Sequence, residues 1–167
     1  MTVEFIKDDR GNDIIQVDDG RIMWPNFAGR ESQFNDKGKR NFNWKIEGGS
    51  DLIDRLVADG WNVKIKPPRE EGDEPFVHMA VKVNFESWNP PNIYLVSGDN
   101  VRKLDADTVG ILDDIRIEKA DFDIRAYDYD TPRGSGRAAY LHGARIVQRL
   151  EYDRFATEED DVPFDME

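Results

Sequence analysis

The residues best suited to chemistry with a ligand lie between Arg21 and Glu47, RIMWPNFAGRESQFNDKGKRNFNWKIE, where six Lys or Arg meet three acids and five aromatic rings. The cations are Arg21, Arg30, Lys37, Lys39, Arg40 and Lys45, and the rings are Trp24, Phe27, Phe34, Phe42 and Trp44. Phosphates of a polynucleotide need cations to replace their condensed counterions, and unpaired bases need flat π-surfaces to stack on. The alternative is a hairpin whose rings are core and whose cations are simply solvated. A weaker form of the pattern sits near the other end, where Tyr127, Tyr129 and Tyr140 alternate with Arg125, Arg133, Arg137, Arg145 and Arg149. Tyr127, Arg133 and Arg137 are candidate contacts there.

A second chemistry is conceivable at Asp121, Asp123, Asp128 and Asp130, because hard divalent cations take carboxylate oxygens and could assist phosphodiester hydrolysis. Strand alternation offers a simpler account: Phe122, Ile124 and Ala126 face inward while Asp121, Asp123 and Arg125 face water. The two histidines, His78 and His142, are too isolated to pair, and the chain has no cysteine, so thiolate zinc sites, cysteine nucleophiles and disulfides are excluded. No phosphate-binding loop, dinucleotide fingerprint or nucleophile elbow is present. The expectation is a binding protein, not an enzyme, with no cofactor and no metal.

The net charge of -12 argues at first against a nucleic-acid partner. Its distribution reverses that argument. Residues 151–167 hold eight acids and one Arg, whereas residues 131–150 hold four Arg and no acid. Charge segregated in this way leaves a cationic surface on an acidic chain. No apolar run approaches a membrane span, and the start, MTVEFIKDDRGND, lacks an apolar signal core, so a cytoplasmic protein without a membrane partner is expected.

The elements that must position these residues follow from periodicity. Residues 1–20 read as an irregular lead-in ending in the turn Asp18-Asp19-Gly20. Arg21 to Phe27 suits a strand that Pro25 confines to an edge or bulge, and Asn41 to Ile46 a strand with Phe42, Trp44 and Ile46 on one face. The connection between them reads as a basic finger standing away from the sheet. Ser50 caps a helix over DLIDRLVADG, with Leu52, Ile53, Leu56 and Val57 as its apolar stripe and Gly60 as its stop. A strand with Trp61, Val63 and Ile65 on one face ends at Pro67-Pro68, and a stronger one buries Val77, Met79, Val81, Val83 and Phe85. Ile93 to Val96 is a short strand, residues 97–114 fit a helix or a loop, and two long strands follow, the last bent at Gly143. Short alternating strands, one helix and long loops make the fold mainly β. An OB-fold-like antiparallel β-barrel with extended hairpin loops is expected over 1–150, with an open α+β sandwich, the helix on one face, as the competing architecture, and a disordered acidic tail is expected over 151–167. Within that tail Asp160, Asp161, Val162, Pro163 and Phe164 set a compact apolar anchor directly after an acidic run.

Taken together these residues resemble the single-stranded DNA-binding proteins of tailed phages. WPNFAGRESQFNDKGKRNF is similar to an Asn-Phe-x-Gly, then Phe-Asn-x-x-Gly-x-Arg-Asn-Phe pattern of one such group, and EEDDVPF to the acidic Pro-Phe tip of bacterial single-stranded DNA-binding proteins. In those tips the phenylalanine is usually last; here Asp165-Met166-Glu167 follow it. The resemblance implies sequence-independent binding and protection of single strands in phage replication and recombination, inside the infected host cell. It also implies a tail that recruits replication or recombination proteins; the tail's charge, tethered to a cationic groove, leads to the further expectation that it gates DNA binding, and monomer and homo-oligomer both stay open. The contacts it suggests are Trp24, Phe27, Phe34, Phe42 and Trp44 on bases, with Arg30, Lys37, Lys39, Arg40 and Lys45 on phosphates. A metal-dependent nuclease and a protein-interaction module are the competing classes.

Overall fold

The computed structural model describes residues 1–150; the acidic tail, and with it every expectation placed on Asp160 to Phe164, lies outside the described residues. Ten strands and one α-helix follow in order: β1 (Thr2–Lys7), β2 (Asp13–Asp18), β3 (Arg21–Asn26), β4 (Arg40–Lys45), α1 (Ser50–Ala58), β5 (Val63–Lys66), β6 (Phe76–Val83), β7 (Asn92–Ser97), β8 (Asn100–Leu104), β9 (Ile117–Thr131) and β10 (Gly134–Gln148). The fold is mainly β with one helix. The strands form one sheet in the order β1-β2-β9-β10-β6-β4-β3, with β5 on β6, β7 on β10 and β8 on β7. All its pairings are antiparallel except those of β10 with β6 and with β7.

The hydrogen-bonded path is open at β1 and β3, and side chains do the closing. Phe122 of β9 meets Phe42 and Trp44 of β4, with ring centroids 5.5 and 6.1 Å apart, although β10 and β6 separate the two strands in the ladder. Burying large rings on one face of a period-two strand curls the sheet around them. Phe27 stacks on Phe42 at 5.4 Å to complete the cluster. Tightness is visible at Gly20, whose N–H donates to the Ala120 carbonyl at 2.8 Å; a Cβ there would lie 2.6 Å from Val17 and 2.7 Å from the Phe122 ring.

Several expectations need correction. Residues 1–20 form the β1–β2 hairpin, its turn held by the Asp8 carboxylate accepting from the Arg10 and Asn12 N–H groups. Gly49, not Ser50, is the helix cap, and Val57 is exposed, so the buried stripe narrows to Leu56 with Leu52 and Ile53 partly covered. The helix ends as expected at Gly60, where φ is +85° and the Gly60 and Trp61 N–H groups return to the Val57 and Leu56 carbonyls. Ile65 is exposed because β5 lies at the rim of the sheet on β6. Residues 97–114 contain β8 and a 3₁₀ turn at Val109–Asp113. Gly143 follows a register shift in β10, and it is there that the free edge of β10 passes from β6 to β7.

The largest correction concerns the rings. Phe27, Phe42 and Trp44 are 1% exposed or less, so they are core and offer no face to a base. Trp44→Ala and Phe42→Ala should each lower the unfolding free energy by about 3 to 5 kcal/mol, the usual cost of removing a buried ring. Urea unfolding followed by circular dichroism measures this, and unchanged midpoints would contradict the core assignment.

Candidate nucleic-acid interface

The outward sides of β4 and β6 form the floor of a groove of about 900 Å³. Alternation dictates its chemistry: with Phe42, Trp44, Met79 and Val81 turned inward, Asn41 and Asn43 of β4 and His78, Ala80 and Lys82 of β6 line the other side. Register places Asn41 opposite Lys82 and Lys82 opposite Tyr140 of β10. The Lys82 ammonium sits 5.6 Å from the Tyr140 ring. Lys64 of β5 adds a second cation, and Trp24, Phe34 and Lys39 form the opposite wall.

Trp24 is held in an unusual way. It occupies the left-handed region, φ +49°, inside an irregularity of β3 between Met23 and Asn26 that includes Pro25. A bulky residue there costs about 1 to 3 kcal/mol of backbone strain. In return the ring is half exposed over the groove, edge-on to His78 at 5.1 Å and tilted on Phe76 at 5.8 Å, with Lys66 at 5.7 Å. Phe34 is 89% exposed, on a loop that is built, not a free finger. The Asn35 amide donates to the Arg30, Asp36 and Lys39 carbonyls at 2.9, 3.0 and 2.9 Å and accepts from Asn41 at 2.9 Å. The loop base is stapled by Asp113, whose carboxylate accepts from the Phe27 and Ala28 N–H groups at 2.7 and 3.0 Å.

The expected cations separate into two kinds. Arg40 donates to the Phe27 and Ala106 carbonyls at 2.6 and 3.0 Å, so it ties the loop down. Arg137 donates to Asp128 at 2.7 Å and to Asp13 at 2.9 Å and lies over the Trp61 ring, and these hydrogen bonds, Asp128's first, raise its already high pKa. Both are structural in role, which corrects the expectation that they meet phosphates. Arg30 lies 3.9 Å from Asp114, Lys39 4.0 Å from Asp36 and Lys45 3.5 Å from Glu47. Lys37 is exposed on the loop, and Arg133 is exposed at the β9–β10 turn without lining the groove. Lys64 and Lys82 have no acid partner among the described residues. Tyr127 is 58% exposed and packs edge-on to Tyr140 at 5.8 Å, extending the floor across β10 to β9.

Sequence reasoning missed Lys64, Phe76, His78 and Lys82. Their signal was present, since they alternate with the apolar residues of β5 and β6. His78 is 5% exposed, its Nδ1 is 2.8 Å from the Asn43 side-chain oxygen, and its Nε2 has no partner among the described residues. Because Asn43 Oδ1 accepts, Nδ1 carries the proton and Nε2 is a bare lone pair. The four aspartates do not converge. Asp121 and Asp123 share the outward face of β9 with Arg125, whereas Asp128 turns to the other face to hold Arg137. Among the described residues no group of three or more His, Asp or Glu could hold a metal. Nor, among them, is any helix long and apolar enough to cross a membrane.

The phage ssDNA-binding domain family matches residues 6–166 of the chain. The chain belongs to the phage ssDNA-binding domain family. Its fold is similar to that of the single-stranded DNA-binding protein from bacteriophage Enc34, at 10% identity and a TM-score of 0.52 over 96% of this chain and 99% of that one. The Enc34 protein in complex with ssDNA matches at 12% identity and a TM-score of 0.50 over 93% of this chain and 99% of that one. No curated protein matches in sequence. At such low identity the likeness extends to the fold, and the site must be argued from this chain's own side chains.

His78 links the stability of the fold to pH. Burial first, then the charges of Lys66 and Lys64, hold its pKa below the ordinary imidazole value of 6.5. The folded state therefore binds a proton less readily than the unfolded one, so stability is intact above that value and falls as pH drops toward the depressed pKa. One proton limits the slope to about 1.4 kcal/mol per pH unit. Urea midpoints should decline below about pH 6.5 in the parent protein and stay nearly level in His78→Gln. Equal decline in both would remove His78 as the cause. Asp8, Asp13, Glu47 and Asp105, whose carboxyls are held low by hydrogen bonds, lose their contribution only further into acid.

Proposed function

We propose that this chain binds single-stranded DNA without sequence preference along the β4–β6 groove, with bases on Trp24 and Phe34 and phosphates on Lys39, Lys64 and Lys82. Two exposed rings stand over a groove whose central lysines have no acid partner among the described residues, and that arrangement carries the assignment. A half-exposed Trp kept in a strained conformation contributes little to folding, so its value lies in what it meets from solvent. Tyr127 and Tyr140 extend the platform, and Lys37 and Lys45 lie within reach of a strand that leaves the groove past the loop. Asn41 and Asn43 offer donors and acceptors that any base can use. Membership of the phage family supports a role in protecting single strands during phage DNA replication and recombination in the infected cell.

Trp24→Ala and Phe34→Ala should each weaken oligo-dT binding by about 1 to 3 kcal/mol, the cost of one lost stacked base, with thermal unfolding unchanged for Phe34→Ala and modestly lowered for Trp24→Ala, which keeps the left-handed strain and loses the ring contacts. Three to five phosphate contacts make log K fall with log salt at a slope of about -2 to -3.5. Fluorescence titration at several salt concentrations reads both, and full affinity in both ring variants, or a flat salt response, would sink the groove assignment.

The tail supplies the second half of the proposal. Its sequence supports an acidic segment tethered to the same chain at an effective concentration on the order of millimolar, able to compete with DNA from within the molecule. Removing residues 156–167 should tighten binding to oligo-dT, most at low salt, where its six acids are least screened. Phe164→Ala keeps those charges and should leave DNA affinity unchanged while weakening capture of replication or recombination proteins, the partners proposed for the Val162-Pro163-Phe164 anchor. Unaltered affinity after truncation would exclude gating.

A further inference from the structure

Outside the groove, the β7–β8 hairpin presents cations and a ring with no task in the fold. Register puts Lys103 of β8 opposite Tyr94 of β7, and Tyr94 opposite Arg145 of β10. Tyr94 is 39% exposed, between Ile93 and Leu95, which are buried. Lys103 and Arg145 are exposed and have no acid partner among the described residues. A tyrosine with an unpaired cation on each side has the chemistry of a stacking platform with phosphate ligands.

This platform lies on the same side of the sheet as the groove. On β9, Arg125 stands opposite Tyr140 and Asp121 opposite Arg145, and four residue steps of uninterrupted strand separate Arg125 from Asp121. Both therefore point outward, and Tyr140 and Arg145 do too. The separation is about 13 Å along the strands. Between the two positions β10 offers only His142 at the register shift and Gly143, which has no side chain to obstruct a passing chain. The two acids that β9 puts on this face are largely occupied, and Asp18 and Glu4 lie further off on β2 and β1. Asp121 accepts from the Asp19 N–H at 2.8 Å and pairs with Lys119 at 3.7 Å. Asp123 is half-buried, and burial above all raises its pKa.

We infer that a single DNA strand leaving the groove at Lys82 and Tyr140 continues over Gly143 onto Tyr94, Lys103 and Arg145, so that the β7–β8 hairpin is a second subsite for longer strands. The inference rests on the groove reading and extends it. Because β10 passes its edge from β6 to β7 at the register shift, one strand carries both subsites, and their spacing is set by its backbone.

Length dependence tests this. Affinities for oligo-dT of about 6 and about 16 nucleotides, both within the roughly 4 to 16 that a single-strand-binding OB fold occupies, should be measured for the full-length protein and for Tyr94→Ala, the double variant Lys103→Glu with Arg145→Glu, and Trp24→Ala. Both hairpin variants should weaken binding of the longer strand tenfold or more and leave the shorter unchanged. The charge variant should also flatten the salt slope for the longer strand by about 1.4, or 0.7 for each lost contact. Trp24→Ala should weaken both lengths. Hairpin variants with full affinity for the longer strand, or with equal losses at both lengths, would overturn the subsite. If Trp24→Ala changes neither length while the hairpin variants weaken the longer strand, the groove reading fails and the subsite stands.

Discussion

The contact of Phe122 with Phe42 and Trp44 is the constraint on which the rest of the structure depends. It joins strands that share no hydrogen bonds and forces the sheet to curl. Each ring removed from water contributes on the order of 1.5 to 3 kcal/mol, enough to decide which face of β4 turns inward. Once that face is chosen, period-two geometry leaves Asn41 and Asn43 outside, and the matching choice in β6 leaves Lys82 there. The groove is the reverse side of the core. Its chemistry was settled when the rings were buried.

That use of the rings has a consequence for function. Three of the five aromatics in the basic stretch are core and offer no face to a base, and the exposure of the other two has separate local causes. Trp24 achieves it with a left-handed backbone in an edge strand, and Phe34 with a loop bound through Asn35. Both devices withdraw a large apolar side chain from the core. Folding alone gives no reason for either.

A similar division separates the cations. Arginines act as staples, because a planar guanidinium can hold two acceptors at once: Arg40 spans two carbonyls and Arg137 two carboxylates. Lys64 and Lys82 remain on the groove without acid partners among the described residues. A chain with net charge -12 can thus present a positive surface. The like-charged neighbours Lys64 and Lys66 that would favour phosphate add to burial, the larger cause, in lowering the pKa of His78 beside Trp24.

By itself the sequence determined the class of fold, the helix and its glycine stop, the inward faces of β4 and β6, and the region where ring and cation chemistry concentrates. These are local properties: alternation, propensity and composition act within a few residues. Only the tertiary structure decided which rings are core and which are free. Phe34 and Phe42 are the same residue type in the same basic stretch, and they differ because one meets Phe122 from a distant strand and the other meets solvent. It likewise decided that Arg137 is held by Asp13, 124 positions earlier. Pairing between segments far apart in the chain leaves no mark in either segment alone, because the free energy belongs to the contact and appears only once the sheet has curled.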